Sequence, residues 1–203
     1  MKRVIYGRKV GMSQFMNDEG VVTPVTLIKC GPLTIIKKLN NNGVESLLVG
    51  IEEVSDKKLN KPKLGLFKKN NTKSFKKIKE YRLDEIGDYD SNSQISIDDF
   101  EGVDKVTVRT KSIGRGFSGT IKRHSFGRGP MTHGSKNHRL PGSIGGGTDP
   151  GRVFKGTRMG GRKGNSNVTI KNLSVVKVDK DNGLIFIKGS VPGKKNNLVE
   201  IFS

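Results

Sequence analysis

Tryptophan is absent from this sequence of 203 residues, and cysteine occurs once, at Cys30. A single cysteine excludes an intrachain disulfide. Its apolar neighbours Val25, Leu27 and Ile28 mark it as a small core hydrophobe in a reducing compartment. Hydrophobic residues make up only 32% of the chain, where a globular domain has about 45–50% with glycine counted. Part of the chain is therefore expected to build a core and part is not. No apolar run approaches the ~18 residues that a transmembrane helix needs. The opening residues, Met1-Lys-Arg-Val-Ile-Tyr-Gly, pass directly into an alternating pattern and lack the apolar stretch of a signal peptide. Acids are missing from one region above all. Between Lys105 and Lys171, Asp149 stands alone against 15 Lys and Arg.

What is present is cationic. The net charge is +19 and the isoelectric point about 10.1. Such a charge destabilises a compact state by self-repulsion unless a polyanion neutralises it. Nucleic acid and an anionic membrane are the two candidates. The region poor in acids holds eight of the 11 arginines and all three histidines, and 15 glycines fall between Lys111 and Gly164. A membrane surface would need a basic amphipathic helix. These cations lie in Gly/Pro-rich sequence that cannot form one, so RNA is the expected partner and no membrane is.

The flanks read differently. Residues 4–10, 21–29, 33–39, 46–51, 106–109, 168–178 and 184–188 are short and rich in β-branched residues, as strands are. Asn41-Asn42-Gly43 and Asp181-Asn182-Gly183 have the composition of hairpin turns. The expected fold is mainly β, a small barrel or sandwich covering residues 1–110 and 168–203. An interruption is expected at about 55–90, with a short amphipathic helix near 61–69 and a loop-rich remainder. There lysines interleave with Leu64, Leu66, Phe67, Phe75 and Ile78, and a solvated surface explains them as well as RNA contact does. Residues 111–167 read as a long irregular basic arm, costly in entropy to order and expected to be disordered without RNA.

Motifs for other chemistry fail on context. Gly114-Arg-Gly-Phe-Ser-Gly119 matches G-x-G-x-x-G, but no apolar helix follows and no acid appears until Asp149, so a nucleotide site is not expected. Such glycines suit backbone pressed close to phosphate. The spacing of His124, His133 and His138 fits no common zinc site, and no cysteine or carboxylate cluster accompanies them. Serines near these histidines have only Asp149 as an orienting acid, so no catalytic set emerges. No enzyme, cofactor or metal is expected. An RNA-modifying enzyme with a basic guide loop is the rival, and it would need a cofactor pocket that the sequence does not display.

The candidate RNA contacts are Arg115, Lys122, Arg123, His124, Arg128, His133, Lys136, His138, Arg139, Ser143, Arg152, Lys155, Arg158, Arg162 and Lys163. Arginine grips phosphate with two parallel hydrogen bonds and stacks on bases, and histidines among arginines do either. Phe117, Phe126 and Phe154 could stack on unpaired bases or serve as local anchors. Sparse aromatics argue against an RRM.

At these residues the chain resembles a known family. Residues 114–123 (GRGFSGTIKR), 132–145 (THGSKNHRLPGSIG) and 150–160 (PGRVFKGTRMG) resemble the large-subunit ribosomal protein L-three family, bacterial type. So do 7–12 (GRKVGM), Pro24-Val25-Thr26, 174–179 (SVVKVD) and 188–193 (KGSVPG). The resemblance implies a six-stranded Greek-key β-barrel of translation-factor type with a small α+β insertion. It implies a primary rRNA-binding protein that contacts the large rRNA near its 3′ end, helps nucleate assembly, and sends its loop toward the peptidyl transferase centre. The approaching part would be about residues 143–158. Ribosomal proteins L-fourteen and L-nineteen would be neighbours, and the chain would not be a homo-oligomer. Many relatives carry a methylated glutamine after the Gly-Ser-Ile-Gly motif. Here Gly146, Gly147 and Thr148 follow Gly145, so that modification is not expected. Lysine outnumbers arginine 27 to 11, which hints at an AT-rich genome and a cytoplasmic ribosome of bacterial type or a plastid one.

Overall fold

A computed structural model describes residues 3–41, 44–82 and 89–203. In chain order the elements are β1 (Val4–Met16), β2 (Val22–Gly31), β3 (Leu33–Asn41), β4 (Val44–Glu53), α1 (Lys61–Lys69), β5 (Phe75–Tyr81), β6 (Gln94–Ile95) and β7 (Lys105–Lys111). They continue with β8 (Phe117–Ser118), α2 (Thr120–His124), β9 (Gly161–Arg162), β10 (Asn167–Asp179), β11 (Leu184–Lys188) and β12 (Leu198–Phe202). The chain divides into two compact units: residues 1–111 with 167–203, and Ser112–Ser166.

In the first unit six strands close on themselves in the order β1-β12-β7-β10-β11-β2, every pairing antiparallel. Strand alternation explains how this ring is filled and covered. Ile5 of β1 points into the ring with Ile28, Val108, Ile185, Ile187, Val199 and Ile201. Its neighbours Val4 and Tyr6 point outward and join Leu33, Ile35, Leu47, Val49 and Phe202. Both faces of β1 are thus apolar at its start, because both are covered. Cys30 lies among the ring residues, and burial pushes its thiol up to about 12.

The chain leaves the ring after β2 and returns at β7. Between them β5, β4, β3 and β6 form a four-stranded sheet. The sequence reading placed this interruption later, at about 55–90, and counted 33–39 and 46–51 with the barrel. Alternating apolar residues do not say which sheet a strand will join. On the sheet's second face Ile36 and Phe75 pack on Phe67 of α1. The helix occupies the residues expected of it, with Pro62 in its first turn and Asn70 ending it. The stretch after it is a strand, β5, and not loop. Lys76, Lys77 and Lys79 lie along an edge strand whose two ends, Phe75 and Tyr81, are buried. Lysines on an edge are a common guard against further pairing. β12 was also absent from the sequence reading. It fills the ring between β1 and β7, and its Glu200 is buried against Lys79 of β5. Asn42 and Gly43 of the expected turn, and residues 83–88 of the expected interruption, lie outside the described residues.

The second unit has almost no core. Of its residues only Ser118 and Thr120 are buried. Its base is a short ladder. The Ser112 N–H donates to the Ser166 carbonyl (2.9 Å), Arg115 N–H to Lys163 (2.8 Å) and Lys163 N–H to Gly116 (2.9 Å). β8 and β9 extend it, with Phe117 opposite Arg162. Its glycines permit this close backbone pairing. Gly164 has φ +74°, and a Cβ there would lie 2.0 Å from the Ile113 carbonyl oxygen.

Candidate nucleic-acid interface

The fifteen candidate contacts all fall in the second unit, and the structure sorts them into two groups. Arg123, His124, His138 and Lys163 are half-buried and face inward. Arg123 Nη1 donates to the Met159 carbonyl (2.8 Å), and His124 Nε2 lies 3.0 Å from the same oxygen. Lys163 Nζ donates to the Lys122 carbonyl. His138 Nδ1 lies 2.8 Å from the Pro130 carbonyl, while the Gly129 N–H donates to the His138 carbonyl (3.0 Å). These four side chains bind backbone and hold the arm's turns. They are positioning groups first.

The other eleven are exposed: Arg115, Lys122, Arg128, His133, Lys136, Arg139, Ser143, Arg152, Lys155, Arg158 and Arg162. Among the described residues no carboxylate forms an ion pair with any arm cation; the ion pairs recorded all lie in the first unit. The guanidinium of Arg152 lies over the Phe154 ring, 5.6 Å from its centroid. This arrangement stiffens the side chain and leaves its donors free. Phe154 is itself exposed, and Phe117 more so, at 83%. Phe126 is half-buried beside His124, their rings 6.1 Å apart. Of the three phenylalanines, Phe117 and Phe154 are therefore placed to stack on an unpaired base.

α2 explains how consecutive cations reach opposite jobs. It begins after Gly119, and the Arg123 N–H closes its turn on the Gly119 carbonyl (2.9 Å). Ser125, at φ +60°, ends it in the left-handed conformation. One helical turn sends Arg123 inward to Met159 and leaves Lys122 exposed. Sequence reasoning missed Met159, whose carbonyl receives two side chains, and Gly161, where a Cβ would stand 2.5 Å from Arg123 Nη1. It also missed Gly129, where a Cβ would stand 1.8 Å from the Asn137 carbonyl oxygen. A backbone acceptor leaves no mark in side-chain identity, and a crowded glycine reads like a flexible one.

Among the described residues no group of three His, Cys, Asp or Glu could hold a metal ion. No helix among them is long and apolar enough to cross a membrane. The arrangement presents unneutralised cations and two exposed rings on a backbone fastened by its own hydrogen bonds. Its chemical capacity is to bind a folded polyanion with unpaired bases.

The family model of ribosomal protein L3 matches residues 92–184, which include the whole second unit. The large ribosomal subunit protein uL3c of Porphyra purpurea is 49% identical over 199 residues, covering 97% of both chains. The uL3 protein of Gloeothece citriformis is 51% identical over 97% of this chain and 94% of its own. The uL3c protein of Gracilaria tenuistipitata var. liui is 45% identical over the full length of both. With about half of its residues identical to such relatives along nearly its whole length, this chain belongs to the ribosomal protein L3 family.

Proposed function

We propose that this chain is a structural, non-enzymatic constituent of the large ribosomal subunit, associated with rRNA and other ribosomal proteins, in the cytoplasm or a plastid. The names of its relatives support this reading, since they are large ribosomal subunit proteins, cyanobacterial uL3 and plastid-type uL3c. The observation that carries it is the second unit. Eleven of fifteen candidate contacts stand exposed there without an acid partner among the described residues. Phosphates are the partner such a surface requires.

The finer reading is that residues 111–167 thread through rRNA toward the peptidyl transferase centre, with about 143–158 nearest to it. Residues 1–110 and 168–203 anchor that loop as a Greek-key barrel of translation-factor type. Early binding near the 3′ end of the rRNA would let the chain nucleate assembly, beside ribosomal proteins L-fourteen and L-nineteen. The cations would neutralise phosphates packed too closely to coexist unscreened.

Binding to large-subunit rRNA across a salt series tests this, with the full chain beside a variant in which Ser112–Ser166 is replaced by a short Gly/Ser linker. Counterion release gives a log–log slope of roughly −0.7 to −0.9 per phosphate neutralised. The variant is expected to lose most of the affinity and most of the slope. Retention of both would move RNA binding to the first unit.

A further inference from the structure

The hairpin of β1 and β2 outruns the ring. β12 pairs with β1 only from Val4 to Arg8, and β11 pairs with β2 only from Val25 to Lys29. Among the described residues, 12–16 of β1 pair only with β2, and beyond the contacts of Thr26, Val25 and Pro24 with β11 and Gly189 the two strands run on alone to Met16 facing Val22. Asn17 locks the tip. Its Oδ1 accepts from the Val21 N–H at 2.8 Å, and its carbonyl accepts from the Gly20 N–H at 3.0 Å. A two-stranded ribbon with open edges is marginal alone and prone to pair with another chain.

Proteins commonly blunt such edges with lysine. This ribbon has none. No Lys or Arg occurs between Lys9 and Lys29, in a chain whose net charge is +19. Met12 (52%), Met16 (67%), Val21 (54%) and Val22 (52%) are exposed. The period of two puts Met12 and Met16 on one face, with Val22 directly across from Met16. The turn beyond them carries Asp18 and Glu19, both exposed.

An apolar strip ending in carboxylates repels a phosphate backbone. It suits a protein segment that is apolar and basic, because methionine adapts its shape to a partner and the carboxylates pair with the partner's cations. We propose that the β1–β2 ribbon, residues 12–22, is a docking site for an extended, Lys- or Arg-bearing protein segment. The proposal rests on the reading above only in drawing that partner from the proteins of the large subunit.

Methionine oxidation in the full chain tests it, since oxidation follows exposure. Met12 and Met16 report on the ribbon; Met131 and Met159 report on the arm. Protein-free large-subunit rRNA is added first, then the total proteins of the large subunit. The rRNA is expected to protect Met131 and Met159 and leave Met12 and Met16 reactive. The proteins then slow oxidation of Met12 and Met16 about tenfold. A chain carrying Asp18→Lys and Glu19→Lys keeps the first protection and loses the second. Protection of Met12 and Met16 by rRNA alone, or their continued reactivity with the proteins present, overturns the proposal. Unprotected Met131 and Met159 would count instead against the arm as the rRNA contact.

Discussion

In the ring and its attached sheet, alternate side chains meet in three apolar clusters, while in Ser112–Ser166 only Ser118 and Thr120 are buried. Charges follow the same division. Glu52 receives Arg8 at 2.8 Å and Glu200 receives Lys79, whereas no arm cation has an acid partner among the described residues. One unit is specified by side-chain volume. The other is specified by backbone hydrogen bonds and by glycines that tolerate close approach. The difference teaches how one chain stays folded and still keeps a surface of free cations. A segment that uses side chains for packing cannot also offer them to phosphate. The arm lets peptide groups and four inward cations hold its shape, so that its outer arginines stay available.

The comparison breaks most visibly in the ring. Ile28 is fully buried among its interior residues. Ile28→Ala is expected to cost about 2–5 kcal/mol of stability, read as a lower urea midpoint. Leu140→Ala in the arm, where the side chain is 66% exposed, should leave that midpoint unchanged. If both variants unfold alike, the arm contributes to a common core.

Gly164→Ala sharpens the contrast from the other side. The new Cβ would meet the Ile113 carbonyl at 2.0 Å with φ at +74°. A local cost of about 1–3 kcal/mol is expected, read as weaker rRNA binding with an unaltered urea midpoint. A smaller effect separates the two groups of arm cations. Arg139→Ala should lower the salt slope of rRNA binding by about one and leave the free arm's amide spectrum as it was. Arg123→Ala should instead shift amide signals around Met159, because it removes a hydrogen bond within the arm.

The smallest effect belongs to the paired charges of the first unit. The hydrogen bond from Arg8, ahead of the opposing effect of burial, holds the Glu52 carboxyl below the usual carboxylate range. A depressed carboxylate stabilises the fold above its unfolded value of about 4.3, and that contribution is lost as pH falls through the lower folded value. Arg8 is substantially exposed, so Glu52→Gln should cost about 0–1 kcal/mol near neutral pH. Urea titrations at a series of acid pH values should show the two proteins converging.

Much of this was legible in residues. The strand at 184–188 and the helix at 61–69 occur where composition placed them, and the other expected strands differ mainly at their ends. Those segments carry local patterns, β-branched runs between Gly, Asn and Asp, or Pro followed by an apolar stripe. β5 was missed because an edge strand of lysines looks like solvated surface. β12 was missed because Glu200 interrupts its short apolar run. In the arm, the density of Arg and Gly marked the candidate interface. The inward turn of Arg123, His124, His138 and Lys163 did not show, since each binds a carbonyl that any residue could supply.

The amino-acid order by itself determined the mainly β character of the flanks, the cationic arm and the family, because each rests on local composition or on motif identity. Only the tertiary structure decided which strands close the ring and which form the separate sheet. It alone decided which arm cations face inward, and that the β1–β2 ribbon projects with open edges. Strand partners and backbone acceptors lie far apart in the chain. Pairing between them depends on the register and closure of the whole sheet, a property no single segment encodes.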